Sequence, residues 1–367
     1  FFFFAKLICV KMAAFVELKG AGLIEKDKNG DVLWSWSYPS VTSEQREYLK
    51  LKSGLSSEQA SSVNFVYCQW RQTWYYILRS EFSVDSEGSP LSKVTDVALV
   101  LISRDFNPEK YETLCQIFLR QYKQTGNPTS VLEGYLSVVT RGTCANDENG
   151  KFSSGDFEKK QAYAKVCLKD IIQTFGVEVI LMYTAMLLKK RIVVYSPPHS
   201  LGQLLDYTRS LPAFAWHRQN WNVVYPYVHL SEPEAEDLSS LSHFVAGVTE
   251  AAVEGRLDLY DLFVNIPNSQ ISIAPHAKEN FAMGKLHKDI AMAMVQFAEE
   301  EGTTDQDTIK EIASKTKELL NNLKSLATTG DDGKLSLSLE TLKARKMPPA
   351  TENFLFSLAA CEGFVQL

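Results

Sequence analysis

The chain has 367 residues, 45% apolar and 22% charged, with 44 acidic against 38 basic side chains and a net charge of −6. At about 150 residues per domain this length suggests two lobes, each long enough to bury a core. The acidic balance argues against nucleic acid as a partner, because such proteins usually present a basic face. Six cysteines (Cys9, Cys68, Cys115, Cys144, Cys167, Cys361) lack paired spacing and lie mostly in apolar runs. That pattern fits reduced, buried thiols in the cytosol better than a disulfide framework.

The chain opens on Phe1–Phe4 and an apolar run interrupted by Lys6. No basic region precedes the run and no small-residue cleavage site follows, so it does not make a signal peptide. Met12-Ala13-Ala14 looks like a natural start, and residues 1–17 are read as an extension, disordered or spurious. Gly22–Lys28 and Asp31–Tyr38 then form a hairpin across Asn29-Gly30. Plain alternation in the second strand places Val32, Trp34, Trp36 and Tyr38 on one face, with Ser35 and Ser37 on the other. Thr42-Ser43-Glu44-Gln45 is a capping box that opens a helix ending near Gly54. Val63–Trp70 and Thr73–Leu78 read as a second, aromatic-rich hairpin. Val94–Ile102 is apolar on both faces from Val97 onward and is expected in the middle of a sheet. Asn107-Pro108 and Asn127-Pro128 each start a helix, with Gly126 closing the first. The first lobe is therefore a sheet with helices against it, over residues 18–142.

Residues 143–155, polar and Gly-containing, are expected as a linker. Asp156–Phe175 reads as one amphipathic helix stopped by Gly176. Val177–Leu188 is apolar all round a helical wheel, which places it inside a fold, and it is far short of the roughly 20 residues of a membrane span. Lys189-Lys190-Arg191 crowd the negative pole of this helix. Ile192-Val193-Val194-Tyr195 is a β-branched run without alternation, the pattern of a strand buried on both faces, and Ser196-Pro197-Pro198 stops it. A helix is expected around Leu204–Ser210, and short strands at Val223–Tyr225, Phe244–Val248, Leu259–Val264 and Ile271–Ile273. Ser231-Glu232-Pro233-Glu234 reads as a capping box before a helix running toward Leu241. Ala277–Glu299, Thr308–Ala327 and Thr351–Phe364 read as helices. The second lobe is thus α/β over a core at 156–274, with a mostly helical part at 275–367.

Chemistry-bearing motifs are scarce. Gly20-Ala21-Gly22 lacks the third glycine of a dinucleotide fingerprint, and no phosphate loop, zinc-type His/Cys spacing or nucleophile elbow is present. His217, His229, His243, His276 and His287 are dispersed and are read as hydrogen-bonded structural histidines. Asp305-Gln306-Asp307 reads as a helix cap and not a calcium loop. These observations imply no cofactor, no metal and no catalytic side chain: a protein that acts through its surface. Trp36 lies near the strand end at Pro39, where covering helices tend to run out. It is the predicted partner-binding residue, with Tyr38 beside it, because tryptophans are over-represented among binding hot spots.

The run Met186-Leu187-Leu188-Lys189-Lys190-Arg191-Ile192-Val193-Val194-Tyr195-Ser196 resembles the core signature of the DENN-domain family. That family often has an acidic residue where Lys189 stands. The likeness continues in order through Leu211-Pro212-Ala213-Phe214-Ala215-Trp216-His217, Tyr225-Pro226, Phe244-Val245-Ala246-Gly247-Val248 and Leu257-Asp258-Leu259-Tyr260-Asp261-Leu262. Upstream, Gly22–Pro39 resembles the family's longin-like part. The resemblance implies a two-lobed α/β fold: a longin-like lobe followed by a DENN lobe, without the family's usual extra domains. It further implies a guanine nucleotide exchange factor for Rab-type small GTPases in late endosomal and vesicle traffic. Such a protein opens the switch regions of its partner and uses no side-chain chemistry. It would be cytoplasmic and recruited to late endosomes through a partner, since no membrane span or lipidation motif is visible. The other reading is a non-catalytic docking subunit that binds a helical or coiled-coil partner within an endosomal sorting assembly.

Overall fold

The structure is a computed structural model and describes residues 17–56, 63–82, 91–146, 150–231, 233–329 and 335–365. The reading of residues 1–17 as an extension therefore falls, but for Glu17, outside the described residues. The chain divides into two compact units, one taking the chain up to Ala162 with Pro198–Gly202, the other Tyr163–Pro197 with Gln203–Leu367.

In the first unit β1 (Leu18–Asp27), β2 (Val32–Tyr38), β3 (Phe65–Trp70), β4 (Thr73–Glu81) and β5 (Val94–Ser103) form an antiparallel sheet in the order β2-β1-β5-β4-β3. β5 is central, as its two-faced apolar run requires. The Asp27 carboxylate closes the first hairpin by accepting from the backbone N–H of Asn29 and of Asp31 (both 2.9 Å), with Gly30 at φ 90°. The second hairpin turns on Arg71 and Gln72, at φ 46° and 61°. A two-residue turn between twisted strands needs positive φ, here without the usual Asn-Gly.

Helix α1 (Ser43–Ser53) begins with the expected Thr42–Gln45 capping box and ends at Gly54. Its Tyr48 ring stacks on Trp70 at 4.6 Å, covering one face of the sheet. Helices α2 (Pro108–Thr125) and α3 (Pro128–Arg141) cover the other. Each starts with Asn as cap and Pro in the first turn, as expected, and each ends in a left-handed glycine. A buried network anchors α2: Tyr111 OH and Lys110 Nζ both donate to the Asp105 carboxylate, and Ser103 Oγ joins them at 2.6 Å. The stretch expected as a linker instead pairs locally. β6 (Thr143–Asn146) and β7 (Gly150–Ser153) form a hairpin in which buried Cys144 and Phe152 stand opposite each other.

The second unit is built on β8 (Arg191–Tyr195), β9 (Val224–Val228), β10 (Phe244–Val248), β11 (Leu262–Asn265) and β12 (Gln270–Ile273), in the order β12-β11-β8-β10-β9. All pairings are parallel except that of β12. β8 is flanked on both sides, as its non-alternating sequence predicts. The expected helix 156–175 divides into α4 (Lys159–Ala164) and α5 (Leu168–Phe175). The break has a tertiary cause: Ser210 Oγ accepts from Cys167 N (2.9 Å) and Asp305 Oδ1 from Lys169 N (2.8 Å), so distant side chains cap a new helix. After a 3-10 turn at Gly176–Glu178, α6 (Val179–Leu187) is buried almost all round. By length and composition Lys159–Leu187 could cross a membrane. Here it is a broken run, most of whose apolar residues face the core, with Val177 exposed.

Helix α7 (Leu201–Ser210) follows, and a 3-10 segment (Leu211–Arg218) leads to β9. Before α8 (Glu234–Ser239) the expected capping box does not form: Pro233 occupies the cap without a side-chain bond, and the Glu234 carboxylate turns back to the N–H of His229. Glu232 lies outside the described residues. Of the expected helix 277–299, the first part is a 3-10 turn (Pro275–Phe281), and α9 (Lys285–Glu299) starts after Gly284. Then come α10 (Asp305–Leu326), α11 (Leu339–Ala344), which sequence reading missed, and α12 (Pro349–Cys361).

Candidate interaction surface

The described residues hold no cluster of three or more His, Cys, Asp or Glu side chains suited to a metal. The five histidines singled out in the sequence are engaged in hydrogen bonds, as expected. His217 donates to Glu362, His229 to Glu250, His243 to the Lys190 carbonyl and His276 to Asp261, while His287 accepts from Gly284 N–H. Burial pushes the Cys167 thiol up to about 12, and Cys115 and Cys361 also upward, so none of them is a thiolate nucleophile near neutral pH. Arg191, from the family-like run, is a structural clamp. Its backbone N–H and guanidinium both donate to Asp261 at the entry to β11, and Nη1 donates to the Asp258 carbonyl. Burial pushes Asp261 up, but the hydrogen bonds from Arg191 and His276 outweigh it and hold the carboxyl below its usual range.

The surface question centres on β2, an edge strand. The expectation that Trp34, Trp36 and Tyr38 share a face is overturned by a bulge. Leu23 pairs with Trp36 and Ile24 with Trp34, which leaves Ser35 as an extra residue without a partner. One extra residue reverses the parity of side chains beyond it. Trp34 and Val32 therefore point to the α1 face. There the Trp34 ring lies so close over Gly22 that a Cβ on that glycine would sit 2.7 Å from it. Leu33, Trp36 and Tyr38 point to the opposite face, with Glu25 and Leu23 of β1. Tyr122 of α2 donates to Glu25, which confirms which helices cover that side.

On this face the cover is incomplete. The Tyr38 ring meets Tyr135 of α3 edge-on at 5.6 Å, and the Tyr135 hydroxyl donates to the Lys19 carbonyl. Tyr38 remains 43% exposed and Leu33 58%, while Trp36 is half-buried. α3 buries Val131, Gly134, Tyr135 and Val138, with Gly134 against Phe118 of α2. Around the helical wheel, Leu132, Leu136 and Val139 (i, i+4, i+7) fall beyond Tyr135, on the side turned away from α2 and toward the β2 edge. Leu136 is 42% exposed and its two neighbours are half-buried. The structure thus brings Trp36 and Tyr38 together with an apolar stripe on α3 and separates both from Trp34. Sequence reading missed Leu33 and the α3 stripe. The signal for the stripe was present as a second apolar row beside the buried one.

Comparison with known proteins agrees with this architecture. A family model described as stabilization of polarity axis matches residues 166–275, and one described as transport protein Avl9 matches residues 108–213. DENN domain-containing protein 10 of mouse (Mus musculus) is 45% identical over 349 residues, covering 95% of this chain and 96% of the relative; the Homo sapiens protein gives the same figures. Its counterpart in Dictyostelium discoideum is 38% identical over 354 residues, covering 93% of this chain and 96% of the relative. Identity of this extent along almost the whole of both chains shows that the chain belongs to the DENN family, among the DENN domain-containing protein 10 group.

Proposed function

We propose that this protein is a guanine nucleotide exchange factor for a Rab-type small GTPase of late endosomal traffic. The observation that carries the reading is the full-length DENN-family match, which runs through both units. A GTPase of this kind holds its nucleotide through a phosphate loop, Mg²⁺ and two switch loops ordered by those contacts. A protein that binds the switches in an opened arrangement favours the nucleotide-poor state. A thousandfold acceleration of release needs only about 4 kcal/mol of preferential binding to that state. No acid, base or metal is required, in keeping with the structural bonds made by His217, His229, His243, His276 and His287. Trp36 and Tyr38, with the α3 stripe, are the proposed partner face. Apolar aromatic anchors of this type dominate binding energy where a partner fully excludes water from them.

The test is release of fluorescent GDP from a panel of endosomal Rab proteins, with the full-length chain at micromolar concentration. Acceleration for at least one member is expected, and Trp36→Asp should abolish it while leaving the melting temperature unchanged. A complete panel without acceleration, together with stable co-purification of a helical partner, refutes exchange and identifies a docking subunit instead.

A further inference from the structure

The C-terminal helices are attached to the second unit in an unusual way. α12 turns Phe354, Leu355, Leu358 and Ala359 inward. Its first turn meets the start of α9, where the His287 ring stands edge-on to Phe354 at 4.5 Å and Thr351 crowds Gly284. Its last turn ends in a cradle of three basic side chains. Arg218 donates to Glu362 from Nε (3.1 Å) and Nη2, His217 Nε2 donates to the same carboxylate oxygen (3.1 Å), and Lys189 Nζ donates to the Cys361 carbonyl (2.7 Å). Lys324 of α10 adds a contact over the Phe364 ring.

We infer that the α11–α12 hairpin is a strap that detaches from the second unit as one piece, and that the Arg218–Glu362 pair is its latch. Two features carry this. First, the hairpin is closed on itself. Leu337 N donates to the Phe364 carbonyl and Phe364 N to the Ala359 carbonyl, both at 2.7 Å, so these bonds travel with the strap. Second, the latch is one-sided. The guanidinium of Arg218 also donates to the carbonyls of Met186 and Leu187 (2.7 Å each) at the end of α6. When Glu362 departs, Arg218 still has two acceptors and α6 keeps its cap. When Arg218 is removed, both the strap and the end of α6 lose a partner. Opening therefore leaves the β8 core intact and bares the apolar surface beneath α12.

The experiment is hydrogen exchange read by peptide on the full-length protein. In the parent, amides of residues 339–361 are expected to exchange through an opening with a shallow denaturant dependence, well below the global one. Glu362→Gln should speed exchange there by about tenfold or more while β8 and β10 stay protected. Arg218→Ala should deprotect α6 as well. Merging of the strap with global unfolding in the parent overturns the proposal even if no variant folds. So does a Glu362→Gln variant that leaves the strap unchanged or loosens β8 equally.

Discussion

Gly247, in the middle of β10, should be the least replaceable glycine of the second unit. A Cβ placed there would lie 2.2 Å from the Pro226 carbonyl oxygen, and 3.0 Å from both its carbon and Thr208 Cγ2. An ordinary carbon–oxygen contact is about 3.3 Å or longer, so Gly247→Ala must push the β9 backbone back by about 1 Å. The neighbour is backbone, already in an irregular register against β10, and cannot swing aside as a side chain would. Overpacking of this kind costs about 3 kcal/mol, with loss of some β9–β10 bonds. Gly255 is the control: nothing lies within 4 Å of its added Cβ, so Gly255→Ala should be neutral or stabilise by about 0.5 kcal/mol through the unfolded chain. Urea unfolding of both variants, with exchange protection of β8–β10 to assign the transition to this unit, provides the comparison. A Gly247→Ala variant within about 1 kcal/mol of the parent at unchanged slope would refute the argument from close approach.

Acid should weaken the second unit in two stages. His287 is buried and its pKa is lowered from 6.5, so its neutral form is favoured and its contribution fades as pH falls below 6.5. Burial raises Glu362, but His217 and Arg218 outweigh it and hold it at about 2 instead of 4.5. The stability it contributes, at most about 3 kcal/mol, is present above 4.5 and lost as pH falls toward 2. Thermal melting from pH 8 to pH 3 checks both stages, and a Glu362→Gln variant whose acid slope matches the parent's would contradict the second. In the first unit, Gln72→Gly should stabilise by about 1 kcal/mol, because glycine holds the φ of 61° without strain. A lower urea midpoint for that variant would show that the Gln72 side chain matters more than its backbone.

What the sequence determined alone is what near neighbours decide. Asn29-Gly30, the two Asn-Pro helix starts, the Thr42–Gln45 box and the terminal glycines act within four or five residues, and each appears where it was read. The buried α6 and the central β8 were equally legible, because a segment apolar on every side has only the interior to go to. Tertiary structure decided the rest. Whether Trp34 and Trp36 share a face depends on how β1 pairs with β2, and one unpaired serine reverses it. The division of α4 from α5 depends on Ser210 and Asp305, 43 and 136 residues away from the backbone groups they cap. Lys189 sits at φ 50°, a conformation that favours glycine, and its ammonium meets a carbonyl 172 residues further on. The proposed partner face is likewise a tertiary product. Its two halves are an edge strand and a helix about a hundred residues apart, brought side by side only when the sheet closes with β5 at its centre.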